Sequence, residues 1–168
     1  MRTLLVALIA LLSLILIGCF ETTIALDEHP ENAKVDRSLV GDWTFPDVAD
    51  NNKTLTVIIR NLDDKQYYVE WSVPGEKPAR AVGYFSKIKD ATFAQLRELA
   101  DDGSIPEKHL IMRITTANNK LGMRQLDDKW FEQHPATNTK ELRKLLEDNL
   151  DLPAMYDGDF HYGTKNSS

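Results

Sequence analysis

Apolar positions recur at every second residue through most of this chain and take up helical spacing only near its end. From Leu39 to Phe45, Trp43 and Phe45 fall on one side of a strand, which Pro46 and Asp47 end before a turn at Asp50-Asn51-Asn52-Lys53. Thr54 to Arg60 sets Leu55, Val57 and Ile59 against Thr54, Thr56, Ile58 and Arg60. After a turn at Asn61 to Lys65, Gln66 to Val73 returns with Tyr67, Val69, Trp71 and Val73 inward and Tyr68, Glu70 and Ser72 outward. These two segments predict an antiparallel hairpin. Beyond a turn at Pro74 to Pro78, Ala79 to Ile88 is a further strand, in which Ala79, Ala81, Gly83 and Phe85 alternate with Arg80, Val82, Tyr84 and Ser86. The small residues in the first row predict a tight bend or a close neighbour.

Ala91 to Ala100 carries two signals. Phe93, Leu96 and Leu99 have near-helical spacing and the residue types favour helix, whereas closing a sheet favours strand, which is the expectation here. Asp101 to Lys108 holds Gly103 and Pro106 and reads as a loop. Leu110, Met112 and Ile114 alternate with Ile111, Arg113 and Thr115, and Leu121 to Leu126 returns after Asn118-Asn119-Lys120, a second hairpin. Asp127 to Pro135 predicts one helical turn capped by Asp127. Asn138 to Leu150 predicts a helix: Asn138 caps it, Glu141 follows three residues on, and Leu142, Leu145, Leu146 and Leu150 form its apolar stripe. Asp157 to Tyr162 is a closing strand. The expected fold is mainly β: a small antiparallel β-barrel or strongly bent sheet, with one C-terminal amphipathic helix plugging or flanking its open side.

The start of the chain is different. Arg2 precedes an apolar run from Leu4 to Ile17, broken only by Ser13, and Glu21 follows soon after. Crossing a bilayer takes about 20 apolar residues, so the run reads as a secretory signal rather than a span. It ends in Leu16-Ile17-Gly18-Cys19, which resembles the lipobox of bacterial lipoproteins: a branched apolar residue, a permissive one and a small one before Cys. The resemblance implies diacylglycerol on the Cys19 sulfur, cleavage before Cys19 and acylation of the new amino terminus. Two or more acyl chains hold a protein stably at a membrane. In Gram-negative lipoproteins an Asp after the Cys favours the inner membrane. Phe20 stands there, which implies the outer membrane, facing the periplasm. The alternative is an uncleaved membrane segment that merely includes Cys19.

Phe20 to Ser38 is polar, contains Pro30 and lacks periodicity, so it reads as a flexible tether of roughly 20–25 Å, with His29 solvated on it. The expected division is a signal peptide over 1–18, a tether over 19–38, a β-rich domain over 39–163 and a disordered tail over 164–168.

Of the 168 residues, only one is Cys, so stability rests on packing rather than on a disulfide. The formal net charge of −6, without a basic run longer than two residues, argues against nucleic acid and anionic lipid as partners. Gly41-Asp42-Trp43 on the first strand is similar to the Gly-x-Trp signature of lipocalin-like barrels, in which the Trp packs at the closed end beneath an Arg near the last strand. Here that strand offers His161 and Lys165. More broadly the chain resembles small β-rich bacterial lipoproteins to which no activity is assigned.

Nucleophile elbows, P-loops, paired His on a helix, Cys pairs and dinucleotide turns are all missing from the sequence. No catalytic residue, metal ligand or cofactor site is therefore expected. Asp157-Gly158-Asp159-Phe160-His161 reads as a polar turn rather than a cation site, because it lacks the further positions of a calcium loop. Asp63-Asp64 and Asp127-Asp128 read as turn and cap residues, and His109 and His134 as edge residues. Trp43, Tyr67, Trp71, Tyr84 and Phe85 are candidates to line an apolar pocket, against the commoner role of aromatic core. The functional expectation is a non-enzymatic binding or interaction domain joined to a membrane through lipid on Cys19, whose partner is a protein or a small apolar ligand. The alternatives are a lipocalin-like carrier of an apolar small molecule and an envelope hydrolase without a recognisable motif.

Overall fold

A computed structural model of the chain describes residues 20–27, 35–46 and 53–166. Cys19 and the rest of the lipobox lie outside the described residues, as does His29. The strands are β1 (Glu21–Thr22), β2 (Gly41–Pro46), β3 (Thr54–Asn61), β4 (Tyr67–Ser72), β5 (Ala79–Ile88), β6 (Ala91–Glu98), β7 (His109–Ala117), β8 (Lys120–Leu126) and β9 (Tyr156–Lys165). Two helices, α1 (Asp128–Gln133) and α2 (Thr139–Asp148), and a 3₁₀ turn at Pro153–Met155 fall between β8 and β9.

From β2 to β9 each strand pairs antiparallel with the next, and β9 pairs back onto β2 through Trp43↔Lys165 and Thr44↔Thr164. The result is a closed eight-stranded antiparallel barrel, with β1 added to β7 beyond the end of β8. Closure satisfies the strand edges that an open sheet would expose. It also carries the last strand past the expected Tyr162 and past the expected domain limit of 163, because Thr164 and Lys165 are the residues that join β9 to β2.

Period-two alternation sorts the side chains as the sequence predicts. Trp43, Phe45, Val57, Ile59, Tyr67, Val69, Ala81, Ala94, Leu96, Ile114 and Leu121 fill the barrel. Residues 35–40 close the end at the β3–β4 turn. Val35 donates to the Asp64 carbonyl at 3.3 Å, and Trp43 Nε1 donates to the Leu39 carbonyl at 3.0 Å. Lys165 holds its Nζ 5.2 Å from the Trp43 ring centre and also donates to the Ser38 carbonyl. Gly41, at φ 151°, leaves room for the Lys165 stem, which a Cβ there would strike.

A second core lies outside the barrel wall. Ile88, Ala91, Phe93, Ile111 and Leu126 face outward and are covered by Trp130 and Phe131 of α1 and by Leu142, Leu146 and Leu150 of α2 and the turn after it. Both helices are capped as expected. Asp127 accepts from Trp130 N at 2.7 Å, and Asn138 accepts from Glu141 N at 3.0 Å. The helix therefore flanks the barrel rather than plugging it.

The first part of the expected tether is fixed to this outer face. Phe20 to Asp27 runs across β7, β6 and β5, and Leu26 is fully buried beneath α2. The segment is held by Phe20, Ile24 and Leu26, which share no period, together with backbone groups and one carboxylate.

Gly83 of β5 sits directly against the backbone of β6, where an added Cβ would collide with the Gln95 carbonyl oxygen. Overpacking in a closed wall costs about 1–3 kcal/mol. Gly83→Ala is expected to lower the urea midpoint of the full chain accordingly, and an unchanged midpoint would count against this packing.

Candidate functional site

The pocket candidates do not converge. Trp43 and Tyr67 are almost wholly buried in the packed barrel. Tyr67 and Phe85 stack at 4.3 Å and border a recess at the residue 35–40 end, together with Asp36, Leu39 and Ile114. Trp71 borders a separate recess at the other end with Ala81, Leu96 and Leu110. Each recess measures about 90 Å³. Tyr84 lies on the outer wall, on the opposite side of β5 from Phe85, as strict alternation along that strand requires. A single aromatic pocket of these five residues is therefore not formed.

Asp157 to His161 begins β9, where the β8–β9 register shifts between Met123 and Gln125. Gly158, at φ 78°, accepts a hydrogen bond from Arg124 Nε at 2.8 Å. Among the described residues no three His, Cys, Asp or Glu side chains come together as a ligand set. His134 stacks on Trp130 at 4.1 Å. His109, with a buried and unpartnered Nδ1, is pushed below the ordinary imidazole pKa by burial and then by Arg97.

The most connected polar cluster lies instead where the N-terminal segment meets the barrel wall. Gln95 points outward from β6 and is 1 % exposed. Its Oε1 accepts from the backbone N–H of Leu26 and from that of Asp27, the latter at 3.2 Å. Its Nε2 donates to the Tyr84 hydroxyl at 2.8 Å, and that hydroxyl donates to the Asp27 carbonyl. The Asp27 carboxylate accepts from the Ser86 hydroxyl and from Arg143 Nη1, the second at 2.8 Å. Thr139 of α2 donates to the Ala25 carbonyl at 2.8 Å. Burial, against the hydrogen bond with Gln95, raises the Tyr84 pKa, so this hydroxyl stays protonated and able to donate.

This clasp holds the segment as a strap between the barrel wall and α2. At the strap's leading end, the Phe20 carbonyl accepts from Ile111 N at 3.2 Å and the Phe20 ring stacks on Phe131 at 4.1 Å. Beside it is a groove of about 280 Å³ lined by Phe20, Ile24, Phe131, Pro135, Ala136 and Leu142, with Glu21, Asp128 and Glu132 on its rim. Asp128 is pushed above the ordinary carboxylate pKa, first by burial and then by Glu132, Asp127 and Glu21.

Sequence reasoning missed Gln95, Asp27, Ser86 and Arg143. The available signal was a single Gln in Ala91 to Leu96, a stretch otherwise apolar but for Thr92. Comparisons with protein-family models, with characterised proteins and with solved structures yield no match.

Replacing Gln95 by Leu leaves two strap N–H groups without an acceptor, at a cost of about 1–3 kcal/mol. Amide exchange at Leu26 and Asp27 is expected to accelerate roughly 5- to 150-fold. Unaltered protection at both amides would show that the clasp does not hold the strap.

Proposed function

We propose that this chain is a lipid-anchored envelope lipoprotein whose barrel is a non-enzymatic binding or interaction domain. The observation that carries the reading is the lipobox-like Leu16-Ile17-Gly18-Cys19 immediately before the docked Phe20. The strap would join a lipid anchor at Cys19 to the barrel without a long flexible leash. The packed barrel interior leaves the outer surface for recognition, and the acidic charge keeps the domain soluble at the membrane. The outer membrane, on its periplasmic side, is the proposed location in a Gram-negative cell.

Growth with labelled palmitate tests the anchor. Label and a cleaved amino terminus are expected on the wild-type chain and neither on Cys19→Ala. A native molecule that begins at Met1 without acyl mass would end the reading.

The second reading, a lipocalin-like carrier, draws on one arrangement: Gly41 and Trp43 on the first barrel strand, with Lys165 of the last strand over the Trp43 ring. Ligand cavities run to roughly 300–1,000 Å³. Recesses of about 90 Å³ at the barrel ends fall well short of that. Titration with a fluorescent fatty acid is expected to give no displaceable binding, and stoichiometric displaceable binding would revive the carrier reading.

A further inference from the structure

We infer that the groove between Phe20 and α1 is the face on which the anchored domain rests against the lipid surface, so that the barrel stands on the bilayer in one orientation instead of swinging on a leash. The inference rests on the lipoprotein reading and adds to it a contact surface and a geometry.

Three observations lead to it. The first is position. Cys19 is covalently next to Phe20, and Phe20 is held twice, by its carbonyl on Ile111 and by its ring on Phe131. Consecutive Cα atoms are about 3.8 Å apart, so lipid on Cys19 starts within one residue of the groove. The second is the lack of slack behind that point. β1 pairs with β7, Ile24 packs into the outer core, Leu26 is buried and Asp27 is clasped by Ser86 and Arg143. A leash would need these contacts to open together. The third is the surface itself. The floor, with Phe20, Ile24, Phe131, Pro135, Ala136 and Leu142, is apolar and open to one side. That suits the boundary between headgroups and acyl chains, where apolar faces of peripheral proteins sit.

The rim narrows the kind of lipid. Glu21 is paired with Lys108 at 3.1 Å, but Asp128 and Glu132 have no basic partner in an ion pair among the described residues. Carboxylates at this edge repel anionic headgroups and are compatible with zwitterionic ones. The face therefore has no electrostatic pull toward the membrane and rests there only because the anchor holds it. This geometry places α1 and the β6–β7 loop near the lipid and the β3–β4 turn, at the opposite end of the barrel, away from it.

The test uses the full lipidated chain in phosphatidylcholine vesicles that carry a shallow nitroxide quencher. The sole native thiol is the one blocked by lipid, so an introduced Cys takes a fluorophore selectively. Probes go to Ala136→Cys in the groove, to Lys129→Cys on the exposed side of α1 in case the first site disturbs packing, and to Asp64→Cys in the β3–β4 turn. Emission at 136 or 129 is expected to be blue-shifted and quenched several-fold more than at 64. Equal quenching at the two ends in floating protein would overturn the resting face and leave the anchor intact. Failure of the wild-type chain to float, or flotation of Cys19→Ser as strong as wild type, would overturn both.

Discussion

One side-chain amide ties the amino-terminal strap to the barrel wall. Gln95 is buried on the outer wall of the barrel, where an unpaired carboxamide would be costly, and the chain supplies its partners from 68 and 69 residues away. Its oxygen takes two strap N–H groups and its nitrogen engages Tyr84, which returns to Asp27. The strap in turn gives α2 a polar seat through Thr139 and Arg143. Without this exchange Gln95 and the strap N–H groups would be buried beneath the strap and α2 without partners. Buried polar groups are most stabilising when every member is satisfied, and here each has a partner.

The same constraint explains the division of the molecule into two cores. Closing β9 onto β2 seals one set of alternating residues inside the barrel. An eight-stranded barrel can be filled by side chains, and the inward-facing residues of this one do fill it. The apolar residues on the outer faces of β5, β6, β7 and β8 must then be covered by something else, and α1, α2 and the strap do so. The surfaces left accessible thus lie outside the barrel: on the helical layer, at the strap, and at the barrel ends.

The barrel was legible from alternation alone because most of its strands are buried on one face and wet on the other. Thr54 to Arg60 and Gln66 to Val73 read correctly for that reason. Ala91 to Ala100 was ambiguous because β6 is buried on both faces: Ala94 and Leu96 point into the barrel, while Ala91, Phe93 and Gln95 face the helices and strap. A strand covered on both sides loses its period-two signature. Phe20 to Asp27 reads as a tether because its packed Phe20, Ile24 and Leu26 follow no period and its hydrogen bonds are made mostly by backbone groups, which composition does not report. The clasp was invisible for a related reason. Tyr84, Ser86 and Gln95 look like ordinary solvent-facing positions until residues 25–27 and 143 are brought over them. The aromatic five were named as one set by residue type, yet the parity of β5 already separated Tyr84 from Phe85.

Sandwiching an amino-terminal stretch beneath a late helix also imposes an order of events. Arg143 and Thr139 reach back 116 and 114 residues to Asp27 and Ala25. Contacts of such sequence separation require long loops to close and so form late. While the remainder of the polypeptide is emerging, the residues around Phe20 are still unseated and accessible. Once α2 settles, that access closes. The order of assembly is thereby written into the topology, with the front end seated only after the back is complete.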